Sequence, residues 1–267
     1  MSKIPHEAVK KISDEEYFKI DALSNSGFRL LKESVLHYEN RDLFKLEGAS
    51  LELGSAVHKL VLEPENFNDD FIIEDFEGCE LNKNTKLYKE AKAKWLESVK
   101  GKKILSKNLF EEVTLMARNV KAIAGGLLQG GVAEQAYFSE FDEIPVKCKV
   151  DYILEKQGVI IDLKTTTSIK DFQKSMIEYN YLTQGSFYLD VVKSTGVKVN
   201  RFVFILVETK KPYMVKVVEM GKLSIEEGRS LYGEYLQTWK DYKNNGVVNM
   251  VKSIEAPRWW LENRGVL

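Results

Sequence analysis

Cysteine is scarce: Cys79 and Cys148 are the only two in 267 residues, too few for a disulfide framework or for a four-cysteine zinc or iron–sulfur centre. Histidine offers only His6, His37 and His58, so any bound metal must be held mainly by oxygen. Proline (5) and glycine (17) are sparse, and there is no internal repeat, low-complexity tract or Pro/Ser-rich linker. With 44% hydrophobic and 30% charged residues, this excludes collagen-like and disordered classes. No stretch approaches the ~20 apolar residues that span a bilayer. The segment from Met1 to Asp14 mixes Lys3, Lys10 and Lys11 with Glu7 and Asp14 and has no apolar signal core. The expectation is a globular, cytoplasmic chain without a membrane partner.

A net charge of −1 gives no direct sign of nucleic acid, but the distribution is uneven. Residues 63–80 hold eight acids and no Lys or Arg, whereas residues 81–107 hold nine lysines against Glu90 and Glu97. The run from Lys83 to Lys107 reads equally well as a phosphate-tracking patch and as a solvated helix face.

The length suits one large domain or two small ones, and the absence of a linker favours a single domain over 1–267. Helical spacing appears in Ser24 to Tyr38, in Leu51 to Leu62 before Pro64, and from about Asn84 to Leu127. It stops at the glycines 125, 126, 130 and 131. Alternation then predicts strands at Ala136 to Phe141, Pro145 to Leu154 and Val159 to Lys164. A helix over Ile169 to Lys193, broken near Asn180, precedes strands at Asn200 to Glu208 and Tyr213 to Glu219, and Ser224 to Tyr242 returns to helix. The reading is an α/β (α+β) domain: a mainly helical part to residue 130, a sheet over 131–220, and a C-terminal helix and tail over 221–267.

The segment VKCKVDYILEKQGVIIDLK, Val146 to Lys164, is the most informative. Period two places Val146, Cys148, Val150 and Tyr152 on one face and Lys147, Lys149 and Asp151 on the other. In the second strand Val159, Ile161 and Leu163 oppose Ile160, Asp162 and Lys164. A four-residue turn at Glu155 to Gly158 sets Leu154 against Val159, which puts Asp151 opposite Asp162 and Lys149 opposite Lys164. Like charges so placed repel across about 5 Å. A divalent cation such as Mg²⁺ or Mn²⁺ would offset that repulsion. The alternative is an exposed hairpin with surface ion pairs of little energetic consequence, and one bulge would move Asp151 off the pair.

Asp151, followed by Ile161-Asp162-Leu163-Lys164, resembles the D…DxK signature of the PD-(D/E)XK nuclease superfamily. Gly54-Ser55-Ala56-Val57-His58 resembles the G-x-x-x-H helix of RecB- and RecE-type nucleases, and Gln184-Gly185-Ser186-Phe187-Tyr188 resembles their Q-x-x-x-Y helix. Together with Ser24 to Tyr38 and the stretch GSAVHKLVLEPENF, the chain from about Leu23 to Val207 is similar to the RecE-like exodeoxyribonuclease VIII group, including phage and prophage members. The resemblance implies a restriction-endonuclease-like core, with a central mixed sheet flanked by helices and a helical N-terminal extension. It implies His58, Asp151, Asp162 and the Leu163 carbonyl as metal ligands, and Lys164 as the group that activates water and steadies phosphate charge. Gln184 and Tyr188, one helical turn apart, would line the DNA or support the site. Glu134 matches an acidic position of relatives, and Thr165 and Thr166 sit where they could contact phosphate or simply end a strand. Asp162 stands where many members have Glu, and the cysteines cannot supply the iron–sulfur cluster of some relatives.

The resemblance further implies a Mg²⁺-dependent phosphodiesterase, with Mn²⁺ able to substitute. It would degrade one strand of duplex DNA from the 5′ end without ATP and leave a 3′ strand for an annealing protein of RecT type. Relatives act as rings, which implies a homo-oligomer. No G-x-x-x-x-G-K-[ST] loop is present, in keeping with ATP independence. The rival readings are an endonuclease or single-strand nuclease on the same core, a DNA-binding recombination module without catalysis, and a zinc hydrolase, which the shortage of histidine disfavours. His6 and His37 read as surface residues. Trp259 and Trp260 suggest a subunit or DNA-stacking contact, although docking onto the protein's own core is the expectation.

Overall fold

Residues Arg201–Glu208 spell RFVFILVE, an apolar run with no polar face, which suits a strand covered on both sides. The computed structural model describes residues 12–44, 48–246 and 255–265, and there this strand is inside the sheet. His6 lies outside the described residues.

Helices α1 (Asp14–Lys19), α2 (Asn25–Glu33), α3 (Val35–Glu39), α4 (Ala49–Leu62) and α5 (Phe67–Asp70) come first. A short parallel pair, β1 (Phe71–Ile73) and β2 (Lys103–Leu105), brackets α6 (Lys86–Ser98), and α7 (Lys107–Ala124) follows. Then come β3 (Val132–Phe141), β4 (Ile144–Leu154), β5 (Val159–Thr166), α8 (Phe172–Glu178), α9 (Tyr181–Ser194), β6 (Arg201–Glu208), β7 (Val215–Glu219), α10 (Lys222–Asn245) and α11 (Arg258–Asn263). The five-stranded sheet has the order β3-β4-β5-β6-β7. Every pair is antiparallel except β5 with β6. That parallel pair needs a crossover, which α8 and α9 supply.

The sheet is covered on both faces. Phe202, Phe204 and Leu206 of β6 pack with α2, α9 and α10, through Phe28, Phe187 and Trp239 among others. The alternate residues Val203, Ile205 and Val207 pack with α4 and α7, through Val57, Met116 and Val120. The N-cap hydroxyls match local sequence: Ser13 forms a capping box with Glu16, Thr85 caps α6 and Ser106 caps α7.

Several sequence-based boundaries shift. The helix expected over Ser24 to Tyr38 is two, because Ser34 is extended (φ −173°, ψ 163°) and its hydroxyl restarts the chain as the cap of α3. The helix expected from Asn84 to Leu127 is interrupted by Gly101, at φ +91°, and by β2. The break near Asn180 is present, with that residue at φ +57°. His37, expected at the surface, is half-buried, bonds Ser34 Oγ and lies 4.7 Å from the Phe44 ring. Trp259 and Trp260 do not dock onto the core; they are 63% and 43% exposed on α11. The acidic and lysine-rich runs partly neutralise each other, Lys92 pairing with Glu74 at 2.6 Å and Lys107 with Asp75 at 3.2 Å. No helix among the described residues is long and apolar enough to cross a membrane.

Candidate metal-binding active site

Strands β4 and β5 pair as the turn predicts, Leu154 with Val159, Ile153 with Ile160 and Tyr152 with Ile161, and the ladder stops there. The stop has a local cause. On β3, Glu134 adopts φ +54°, in the left-handed region that few non-glycine residues visit. It interrupts the β3–β4 pairing between Gln135↔Val150 and Ala133↔Tyr152. There β4 changes phase: Val150 packs into the layer with α9, and Tyr152 into the layer with α4 and α7. The expected common face of Val146, Cys148, Val150 and Tyr152 is therefore broken after Val150. Nearer its N-terminus, β4 is paired by the N-terminal segment instead, Leu23 N–H donating to Pro145 O and Lys147 N–H to Leu23 O, both at 2.8 Å.

Asp151 and Asp162 are consequently not a ladder pair, and Lys149 does not oppose Lys164. The Leu163 N–H, left without a strand partner, donates to Asp151 Oδ2 at 2.8 Å, which satisfies a backbone donor that would otherwise be orphaned. Lys149 turns toward β3 and α1, its Nζ 3.0 Å from Glu134 Oε2 and 2.7 Å from Asp14 Oδ1. Glu134 thus enters the site through its backbone kink. His58 enters from above: α4 crosses β5 at Gly54, where a Cβ would stand 3.3 Å from Thr165 Oγ1. One turn later His58 Nδ1 lies 3.4 Å from Asp151 Oδ2. One donor atom each of His58, Glu134 and Asp151 lies within 4.8 Å of the others.

Asp162 stands beside this trio rather than in it. Its side chain is 1% exposed. Gln184 Nε2 donates to Oδ1 at 2.6 Å, while Oδ2 is paired with the Lys164 ammonium at 2.7 Å. Lys164 Nζ also lies 4.9 Å from the centre of the Tyr181 ring.

Burial shapes the electrostatics. It pushes the Asp162 carboxyl up to about 6 against the pull of Lys164, with Asp151 adding to the rise. Burial raises Asp151 too, opposed by Lys164, the Leu163 N–H and Lys149. Glu134 is raised by burial and by Asp151, and Lys149 opposes. Burial and the Lys164 charge lower His58, which favours the neutral imidazole that a metal requires. Lys164 is held above the usual ammonium range: burial opposes its charge, but Asp162 and Asp151 prevail. One buried and two half-buried carboxylates, with an imidazole whose neutral form is favoured, make an oxygen-dominated donor set that fits a hard divalent cation such as Mg²⁺ or Mn²⁺.

The remaining expected residues are placed less centrally. The Leu163 carbonyl backs His58 and favours its charged form. Thr166 Oγ1 engages Ser168 in a local turn. Tyr188 is half-buried on α9, 6.3 Å from the Phe202 ring, with burial pushing its phenol well above the usual range. Two participants had no visible signal in the sequence: Asp14, which reaches Lys149 across 135 positions, and Tyr181, which borders Lys164.

A family model described as "PDDEXK-like domain of unknown function (DUF3799)" matches residues 24–251. No curated protein matches the chain. Among solved structures, a "putative exonuclease" from Eubacterium rectale aligns over 96% of this chain and 99% of its own, with TM-score 0.61 and 16% identity; the two share a fold. A phage-related exonuclease from Haemophilus somnus 129PT aligns over 76% of this chain and 98% of its own, with TM-score 0.31 and 15% identity.

Proposed function

Because the chain belongs to the PDDEXK-like DUF3799 family, we propose that the site where β4 and β5 part hydrolyses DNA phosphodiesters with Mg²⁺. The observation that carries this reading is the convergence of His58, Glu134 and Asp151 within 4.8 Å beside the buried Asp162–Lys164 pair. His58, Glu134 and Asp151 would hold the ion, with Asp162 as the adjoining carboxylate. A bound divalent ion there lowers the pKa of a water and polarises phosphate oxygens. Lys164 places fixed positive charge where negative charge develops on the phosphate. Gln184 keeps Asp162 Oδ1 occupied, so that the carboxylate presents Oδ2 toward Lys164.

The finer reading is a 5′-to-3′ exonuclease on duplex DNA ends that acts without ATP, leaves 3′ tails for a strand-annealing protein, and assembles as a ring. It is supported by the likeness of motifs 54–58, 151–164 and 184–188 to RecE-like nucleases. An endonuclease on the same core is the second reading, favoured by the fact that nothing in the chemistry of His58, Asp151, Asp162 and Lys164 demands a DNA end.

Linear duplex labelled at either end, closed circular duplex and single strands, each with and without Mg²⁺, decide between them. The exonuclease reading expects Mg²⁺-dependent loss of label from the 5′ end and intact circles. Cut circles would replace it with the endonuclease. Asp162→Ala and Lys164→Met should each reduce hydrolysis to below roughly a few per cent of wild type while duplex binding persists. Full activity in either variant would refute the site.

A further inference from the structure

Beside Lys164 a short aromatic step leads out toward solvent. Tyr181, whose ring lies under the Lys164 ammonium, is fixed from below by Phe172 at 5.7 Å and Phe204 at 6.0 Å. Its other ring neighbour is Tyr179, at 5.8 Å and tilted by 41°. Tyr179 has no further ring contact among the described residues and is 53% exposed.

The geometry that presents Tyr179 is built in. Asn180 separates the two tyrosines at φ +57°, a conformation that Asn tolerates better than most residues. Its carbonyl accepts Thr183 Oγ1 at 2.7 Å and the Gln184 N–H at 3.0 Å. The turn that sets Tyr179 therefore also starts the helix turn from which Gln184 reaches Asp162. An exposed aromatic face is thus held two ring steps, 4.9 and 5.8 Å, from the ammonium that would meet the phosphate. One nucleotide covers such a span between its phosphate and its base.

Resting on the nuclease reading, we propose that Tyr179, backed by Tyr181, is a stacking subsite for the nucleobase adjoining the scissile phosphate. Every base has a π face, so the subsite is indifferent to sequence. Bases inside a duplex have both faces covered, so the subsite selects a strand unpaired at that nucleotide, either a frayed end or a single strand. Base–aromatic stacking of about 1–3 kcal/mol corresponds to roughly 5- to 150-fold in affinity.

The test uses the full chain and oligonucleotides with one abasic nucleotide or one 2-aminopurine placed successively along the last few positions. Tyr179→Ala should raise KM for a single strand by about 5-fold or more with a much smaller change in kcat, and Tyr179→Trp should restore KM. In wild type, one abasic position should reproduce the loss, and on that substrate Tyr179→Ala should add nothing further. With Ca²⁺ in place of Mg²⁺, 2-aminopurine at the same position should be quenched on binding wild type and Tyr179→Trp but not Tyr179→Ala. Losses that add, or KM and quenching unaffected by Tyr179→Ala while wild type hydrolyses normally, would remove the subsite alone. A wild type that hydrolyses no oligonucleotide with Mg²⁺ would remove the nuclease reading and the subsite with it.

Discussion

Asp162→Asn should make the metal-free protein progressively more stable than wild type as the pH is raised. The carboxyl titrates at about 6 in the folded chain against 3.8 for the free side chain. The folded state therefore binds an extra proton between those values, and wild type loses stability as the pH rises through that window. A difference of about two pH units is worth about 3 kcal/mol in total at 1.36 kcal/mol per unit. About 2 kcal/mol of it falls between pH 4.5 and 7.5. Asn retains an acceptor for Gln184 but sets an amide against Lys164, which shifts the variant by an amount that does not depend on pH in this range. Glu134 and Asp151 titrate in the same sense as Asp162, and His58, lowered when folded, in the opposite sense. Glu134 is common to both proteins, whereas Asp151 and His58 interact with the Asp162 charge, so the difference reads Asp162 together with its coupling to those two groups. Urea unfolding in EDTA at pH 4.5, 6.0 and 7.5 measures it. The stability of Asp162→Asn relative to wild type should rise by about 2 kcal/mol across the series. A gap that stays level with pH would show that Asp162 is not a strained buried acid, and would remove the electrostatic reason for placing a cation beside it.

Two further expectations address the surroundings of the site. Lys149 holds the Glu134 carboxyl down by its charge and by a 3.0 Å contact, so Lys149→Gln should raise the pH needed for Mn²⁺ binding, read by titrating Mn²⁺ at several pH values without DNA. An unchanged pH profile would detach Lys149 from the metal cluster. Gly228 of α10 lies so close to α9 that an added Cβ would collide with the Leu182 carbonyl and Ser186 Oγ. Gly228→Ala should therefore cost about 1–3 kcal/mol or more in urea unfolding, whereas Gly233→Ala on the same helix, with open space around it, should be neutral or slightly stabilising.

The legibility of this site in the sequence is divided by the reach of each rule. The turn at Glu155 to Gly158 fixes the register of three residue pairs, and the alternation of β5 survives intact, with Val159, Ile161 and Leu163 in one layer and Ile160 in the other. Period-two reasoning fails on β4 at Asp151, because it assumes regular strand backbone, and Glu134 at φ +54° removes that regularity from the neighbouring strand. No residue type announces such a kink; glutamate is an unfavourable choice for it. The failure is informative about mechanism. Had β4 and β5 stayed zipped, the Leu163 N–H would have bonded a backbone carbonyl, and Asp151 would have stood on a closed sheet. With the strands parted, the amide is free to hold Asp151 Oδ2, and Glu134 and His58 converge on that carboxylate beside the Asp162–Lys164 pair. Leu23 then takes up the backbone groups of β4 around Val146, and α1 follows it with Asp14 on Lys149. The local departure from sheet geometry is what converts a pair of hairpin acids into a four-element site, and a backbone strained in this way is stored where chemistry is expected rather than in the packed layers on either side.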